Sequence, residues 1–438
     1  MWNHLPKRIA DHSIVLALCA AALCAAAACK KQEPAGGGTA GSGPSGGSSG
    51  GVSSSGPGGD KIVIGVLTDM SGLYADVGGQ GSVVAAQMAV DEVGGSVAGM
   101  PVEVVFGDHQ NKPDVGSNVA REWYDTKNVD MIVDVPTSSV ALAISALSRD
   151  KNKVFVASGA GSSDLTGKAC SPNTIHWTYD TWALANTTGR EIVKDGGDTW
   201  FFLTVDYAFG AALQRDVTKV VEQAGGKVLG AVKHPLNASD FSSFLLQAQD
   251  SKAKVIGLAN AGGDTINSIK QAAEFGIVSK GQSLAGLLVF ISDINALGLA
   301  TAHGLKLSES FYWDRDDKTR AWSQKFAAKR GGAMPTMSQA GVYSAVLHYL
   351  KAIAELKSTK DGKAIVAKMK AIPTDDPLFG KGTIDINGRK RHSMYLYEVK
   401  SPSESKAKWD YYKLIREVPA DQAFRPPADS GCDLVAAK

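Results

Sequence analysis

The chain has 438 residues and a formal net charge of +2. So even a charge balance argues against a nucleic-acid partner, which needs a strongly basic face. The length exceeds one comfortable hydrophobic core and fits two domains. No C-x-x-C occurs and none of the eight histidines sits in a recognised ligand spacing, so no metal or cofactor is predicted.

In chain order, Lys7 and Arg8 precede an apolar run over 14–28, the pattern of an export signal. The run falls short of the about 20 apolar residues that span a bilayer. It ends Ala26-Ala27-Ala28-Cys29, which resembles the lipobox of bacterial lipoproteins, with Ala26 where such boxes usually carry Leu. The resemblance implies acylation of Cys29, so residues 1–29 read as a lipoprotein signal segment. Residues 30–59 read as a flexible linker, because from 34 onward they are almost all Gly, Ser, Pro, Ala and Thr and cannot bury a core. Such a coil reaches about 30 Å. Two G-x-S-x-G matches in it, at 43–47 and 47–51, lack the strand and helix that a nucleophile elbow needs. Cys19 and Cys24 leave with the leader. Cys170 and Cys432 remain, and in an oxidising compartment they predict one disulfide pinning the tail to the body, rather than two buried thiols.

From residue 60 the pattern is strand, helix, strand, helix. Short β-branched runs at 62–67, 102–106, 131–133 and 154–156 predict buried parallel strands. Between them Val115, Val119 and Trp123, and likewise Val83, Ala86, Val90 and Val93, recur at helical period. The pattern then starts again. Strands are predicted at 201–205, 228–232, 255–258 and 287–291, with helices over 210–224, 241–249 and 265–275. Two successive βαβ sets predict two α/β lobes with parallel-sheet cores. Beyond residue 305 the chain predicts a strand at 305–312, helices over 319–329, 338–356 and 362–371, and strands at 383–386 and 394–399. The last forty residues are polar and are expected to wrap the surface.

Enzyme signatures are missing. The loop after the first strand, Thr68-Asp69-Met70-Ser71-Gly72, has no G-x-G-x-x-G, and no Walker A loop or H-E-x-x-H occurs. The chain is therefore read as a binding protein and not an enzyme, with a secreted α/β enzyme as the weaker alternative. In open α/β sheets ligands sit beyond the carboxyl ends of strands. After the strand at 131–133 comes Pro136-Thr137-Ser138-Ser139 and an apolar helix, a hydroxyl-rich helix start suited to a carboxylate. Plain N-capping explains the same residues and does not conflict. After the strand at 154–156 comes Ser158-Gly159-Ala160-Gly161-Ser162-Ser163, whose glycines let backbone approach a ligand; an ordinary tight turn reads the same way.

The run from Ile62 to Gly72 resembles the opening strand and loop of type I periplasmic binding proteins, the leucine/isoleucine/valine-binding group. Gly107-Asp108-His109-Gln110, Thr137-Ser138-Ser139, Ser158-Gly159-Ala160, Asp206-Tyr-Ala-Phe-Gly210 and Asp240-Phe-Ser-Ser243 continue the likeness in order, from about residue 61 to 400. The resemblance implies two Rossmann-like lobes joined by a three-crossing hinge. The first lobe would take 60–180 and 313–380, the second 181–312 and 381–400, and 401–438 would be a C-terminal extension. It implies a carboxylate at Thr137 and Ser138, an ammonium at Ala160 and Ser162, and an acidic partner for that ammonium at Asp293, which equally fits an N-cap. With Tyr74, Tyr207, Asn260 and Tyr312 these are the candidate ligand contacts. Tyr74, Tyr179, Trp182, Tyr207, Phe209, Tyr312 and Trp313 crowd the loops expected to form the cleft, which keeps an aromatic or other organic acid open beside a branched-chain amino acid. The implied setting is the periplasm, with a lipid anchor in the membrane, a small-molecule ligand, and the permease subunits of an ABC importer as partners; a sensor would be an alternative partner.

Overall fold

The computed structural model describes residues 61–436. The signal segment, the linker and Cys29 lie outside the described residues.

The first lobe is built on a sheet of order β2-β3-β1-β4-β5-β6. Its strands are β1 (Ile62–Thr68), β2 (Ser96–Val97), β3 (Met100–Asp108), β4 (Met131–Asp134), β5 (Val154–Ala157) and β6 (Thr174–His176). Every pairing is parallel except that of the short β2 with β3. All seven residues of β1 are buried between β3 and β4, which is why it reads as an unbroken apolar run. Trp123, from the helix Pro113–Thr126, lays its ring over Gly65 of β1 and Gly107 of β3. A Cβ at Gly107 would stand 2.9 Å from that ring, so the glycines here make room for a large side chain.

The second lobe has a parallel sheet of order β10-β9-β7-β8, with β7 (Thr199–Val205), β8 (Lys227–His234), β9 (Val255–Ala259) and β10 (Ser283–Gly286). The last strand ends before the predicted run at 287–291 begins. Leu287, Leu288, Val289 and Phe290 are buried, but as the loop that leads from β10 into the helix Ile291–Leu297. Burial made them apolar, and a short apolar run does not by itself distinguish strand from buried loop.

The chain passes between the two sheet systems after β6, after β11 (Lys306–Glu309) and after residue 391, so the segment 381–391, expected in the second lobe, stays with the first, where Arg389 bridges His176. After β11 it returns to the first lobe, where the helix Met337–Leu356 packs along Gly79–Glu92 and across β4. Then β12 (Thr374–Asp376), β13 (Gly380–Ile384) and β14 (Lys390–Arg391) form a small antiparallel sheet, and β13 lies beside the helix Gly362–Ala371 of the first lobe. Only β15 (Met394–Val399) joins β11, so the runs at 383–386 and 394–399 belong to different sheets. Arg389 is buried where the crossings meet. It donates to the Tyr179 carbonyl at 2.9 Å and lies 3.5 Å from Asp180.

The tail does more than wrap the surface. β16 (Tyr412–Val418) pairs antiparallel with β15 and completes the sheet β11-β15-β16. The chain then runs back to the first lobe, where Cys432 is bonded to Cys170 across a sequence separation of 262.

Candidate functional site

Loops at the carboxyl ends of strands from both lobes meet around one cavity. Tyr74 and Val77 follow β1, Pro136 follows β4, and Gly159 and Gly161 follow β5; Tyr179 comes from the first crossing. The second lobe adds Tyr207 and Phe209 after β7, Ala261 after β9, and Leu288 and Phe290 after β10. In this closed form the atoms leave little room between them, about 10 Å³ for the centre of a water-sized sphere. The wall is apolar and aromatic, and none of its side chains carries a charge.

The lobes are closed on this cavity. The Tyr74 and Tyr207 hydroxyls, one from each lobe, are 2.9 Å apart. Gly262, with φ of 58°, presses on the first lobe: a Cβ there would meet the Leu73 carbonyl oxygen at 2.8 Å. Glycine is required on both counts, conformation and space. The loop after β1 is held from behind by the start of the helix Met337–Leu356. Thr336 donates to the Val77 carbonyl at 2.6 Å, and Gln339 donates to the carbonyls of Asp76 and Gly78 at 3.2 and 3.0 Å. Burial and each other's proximity keep the Tyr74 phenol above its ordinary range, so it stays protonated.

Three helices begin at the cavity, Ser138–Asp150, Ala208–Gln223 and Gly263–Glu274. Their free first-turn N–H groups bring partial positive charge to a wall without cations, an arrangement that favours an anionic group.

Of the nine expected contacts, Tyr74 and Tyr207 line the cavity. Thr137, Ser138, Ala160 and Ser162 stand just behind it. All four are buried. The Thr137 hydroxyl donates to Asn111 Oδ1, and the Ser138 hydroxyl accepts the N–H groups of Gly161 and Ser162 at 3.3 and 3.1 Å. Ser138 thereby shapes the Gly161 turn that forms part of the wall. Ser162 Oγ caps the short turn Ser163–Thr166 through Asp164 N–H at 3.4 Å, and the Ala160 carbonyl meets His176 Nε2 at 2.7 Å. Asn260 is engaged within the second lobe by His234, Thr265 and Ser268. Asp293 and Tyr312 lie outside the lining. Asp293 Oδ2 accepts the Phe290 N–H at 2.9 Å and so caps its own helix. Burial pushes its carboxyl up to about 7. The Tyr312 hydroxyl donates to the Trp409 carbonyl at 3.2 Å, in the segment that leads into β16.

Among the other cleft aromatics, Tyr179 and Phe209 line the cavity, whereas Trp182 lies under the Arg425 guanidinium, 4.2 Å from its ring centroid. Trp313 donates to the Trp409 carbonyl at 2.8 Å. Gly159 and Gly161, read from the sequence as glycines that let backbone approach a ligand, are in the wall, whereas Val77, Pro136, Ala261, Leu288 and Phe290 were missed as wall residues. Their signal was position: each follows the end of a parallel strand, the place where such folds bind ligands.

Two α/β lobes, crossed three times and closed over a cavity at their strand ends, define an extracytoplasmic binding protein of the periplasmic type. The family model described as periplasmic binding protein matches residues 61–407. The chain belongs to that family. It is 52% identical to a periplasmic binding protein from Burkholderia mallei, over 86% of this chain and 99% of that one, with a TM-score of 0.83. A branched chain amino acid ABC transporter periplasmic ligand-binding protein from Burkholderia xenovorans LB400 is 40% identical over 85% and 100%, with a TM-score of 0.77. A solute binding protein of an ABC transporter from R. palustris, solved in complex with benzoate, shares the fold at 19% identity over 85% and 99%, with a TM-score of 0.74. Each of these relatives is described as a binding protein.

Proposed function

We propose that this chain captures a small organic acid with a flat apolar body, an aromatic carboxylic acid, and delivers it to the permease of an ABC importer while tethered to the membrane through acylated Cys29. The observation that carries the reading is the cavity wall. Tyr74, Tyr179, Tyr207, Phe209 and Phe290 offer ring faces and edges to a planar body, while the helix starts nearby favour a carboxylate. An α-ammonium would find no acidic side chain in that wall, because Asp293 is committed to its own helix.

Closure follows from contacts on both lobes. A ligand that touches both favours the closed form by the difference in its affinity for the two states. Isothermal calorimetry with benzoate and leucine tests the reading: one-to-one binding of benzoate, at least tenfold tighter than leucine, is expected. The reverse order would favour a second reading, a branched-chain amino acid. That one is supported by the description of the 40% identical Burkholderia xenovorans protein.

A further inference from the structure

Asp134 has no part in the reading above, yet it stands at the cavity. It ends β4 with φ of 85°, and Val135 follows at 55°. Two successive non-glycine residues in the left-handed region are strained, and such strain persists where the surroundings hold it. The carboxylate is fully buried. Thr68, Ser82 and Ser158 turn hydroxyls toward it, but neither of its oxygens has a well-formed hydrogen bond. Two glycines make room for it. A Cβ at Gly78 would come within 2.7 Å of Oδ2, and one at Gly159 within 2.8 Å of Oδ1. Gly159 and Val77 are wall residues, so the carboxylate lies directly behind the wall.

Among the described residues no cation compensates it. Thr68 faces it from β1, Ser82 from the helix Gly79–Glu92, Ser158 from the turn after β5, and Tyr179, whose phenol feels its charge, from the first crossing. The helix Met337–Leu356 packed on β4 buries uncharged side chains, apart from His348, whose Nε2 meets the Met369 carbonyl. A negative ligand would therefore face, across one layer of backbone, a negative charge softened by three hydroxyls and neutralised by no cation, and two like charges in such a place cannot both stay ionised cheaply.

We infer that Asp134 is a specificity-determining residue that must take up a proton for an anionic ligand to seat fully. The inference rests on the acid reading of the ligand. Burial already pushes the Asp134 carboxyl up to about 6, and a bound anion raises it further. By linkage, affinity then rises as pH falls from 8 to 5, where Asp134 becomes protonated. Benzoate stays ionised over that range, since free carboxyls titrate near about 4.

The test is calorimetry of the full chain with benzoate at pH 5, 7 and 8, in two buffers of different ionisation enthalpy, on the wild type and on Asp134→Asn. The wild type should bind roughly tenfold tighter at pH 5 than at pH 8, the factor for one unit of pKa coupling, and take up protons at pH 7. Asp134→Asn should show neither effect. Should that variant fail to fold, the other raised carboxyls decide: proton uptake unchanged in Asp264→Asn and in Asp293→Asn assigns the proton to Asp134, and uptake abolished in either variant overturns the inference. Benzoate binding that is flat with pH and takes up no proton overturns the inference and leaves the acid reading intact. A pH slope that persists in Asp134→Asn also overturns it. If benzoate binds at no pH, the acid reading fails and this inference falls with it.

Discussion

Tyr207→Phe isolates what the interlobe contact contributes to closure. In the closed form the Tyr74 and Tyr207 hydroxyls meet at 2.9 Å, and Tyr74 is 3% exposed. In an open form both hydroxyls face water. Removing one of them therefore leaves the other buried and unpartnered only when the lobes close, at a cost of about 1–3 kcal/mol. Because closure and binding are coupled, Kd should rise by a factor of about 5–150. Tyr74→Phe should cost less, because the Tyr207 hydroxyl it orphans belongs to a residue that is only partly buried. The double variant loses only the net value of one neutral hydrogen bond, about 0.5–1.5 kcal/mol, because no orphan remains. It should therefore bind better than the worse of the two single variants. Calorimetry with benzoate on the four proteins closes the cycle. Strictly additive losses, with the double variant the weakest, would refute the argument that the hydroxyls serve each other across the gap.

Loss of the disulfide should destabilise the body. Closing a loop as long as the one between Cys170 and Cys432 stabilises by at most about 5 kcal/mol, so Cys432→Ser or reduction should lower Tm by several degrees, and an unchanged Tm would count against the tether. Asp293→Asn should raise Tm at pH 8 and leave it unchanged at pH 4. The folded carboxyl is raised to about 7, above its unfolded value, so its stabilising contribution is full below about 4 and is lost as pH rises through 7. A larger gain at acid pH would contradict that sign. Gly107→Val should unfold the first lobe or cut its yield sharply, since its Cβ would press on the Trp123 ring.

The parallel strands were legible because burial on both faces leaves its mark as apolar runs, mostly β-branched in β1 and aromatic at the centre of β7. The segment 287–290 carried the same mark for another reason, burial as a loop beneath the second lobe. β16 carried almost none. It sits at the edge of its sheet with most of its middle residues exposed, so Lys413, Arg416 and Glu417 mask it as a polar tail. At the site, topology told which loops converge, because the chain order of strands fixes which turns lie at their carboxyl ends. It did not tell which side chains in those turns face inward. The hydroxyls of Thr137 and Ser138 turn toward protein partners, and the wall falls to their neighbours Pro136 and Gly161. Asp293 read equally as a ligand contact or a cap, and only the Phe290 contact shows the cap. Asp134 looked like the end of a strand, since nothing in the sequence says that Gly78 and Gly159 leave space for its carboxylate.

Amide hydrogen exchange with and without benzoate tests most directly whether two lobes shut on an acid. Protection should appear together in 73–79, 136–140 and 159–163 of the first lobe and in 207–211, 261–265 and 288–292 of the second. Protection confined to one lobe, or placed away from these turns, would contradict the account.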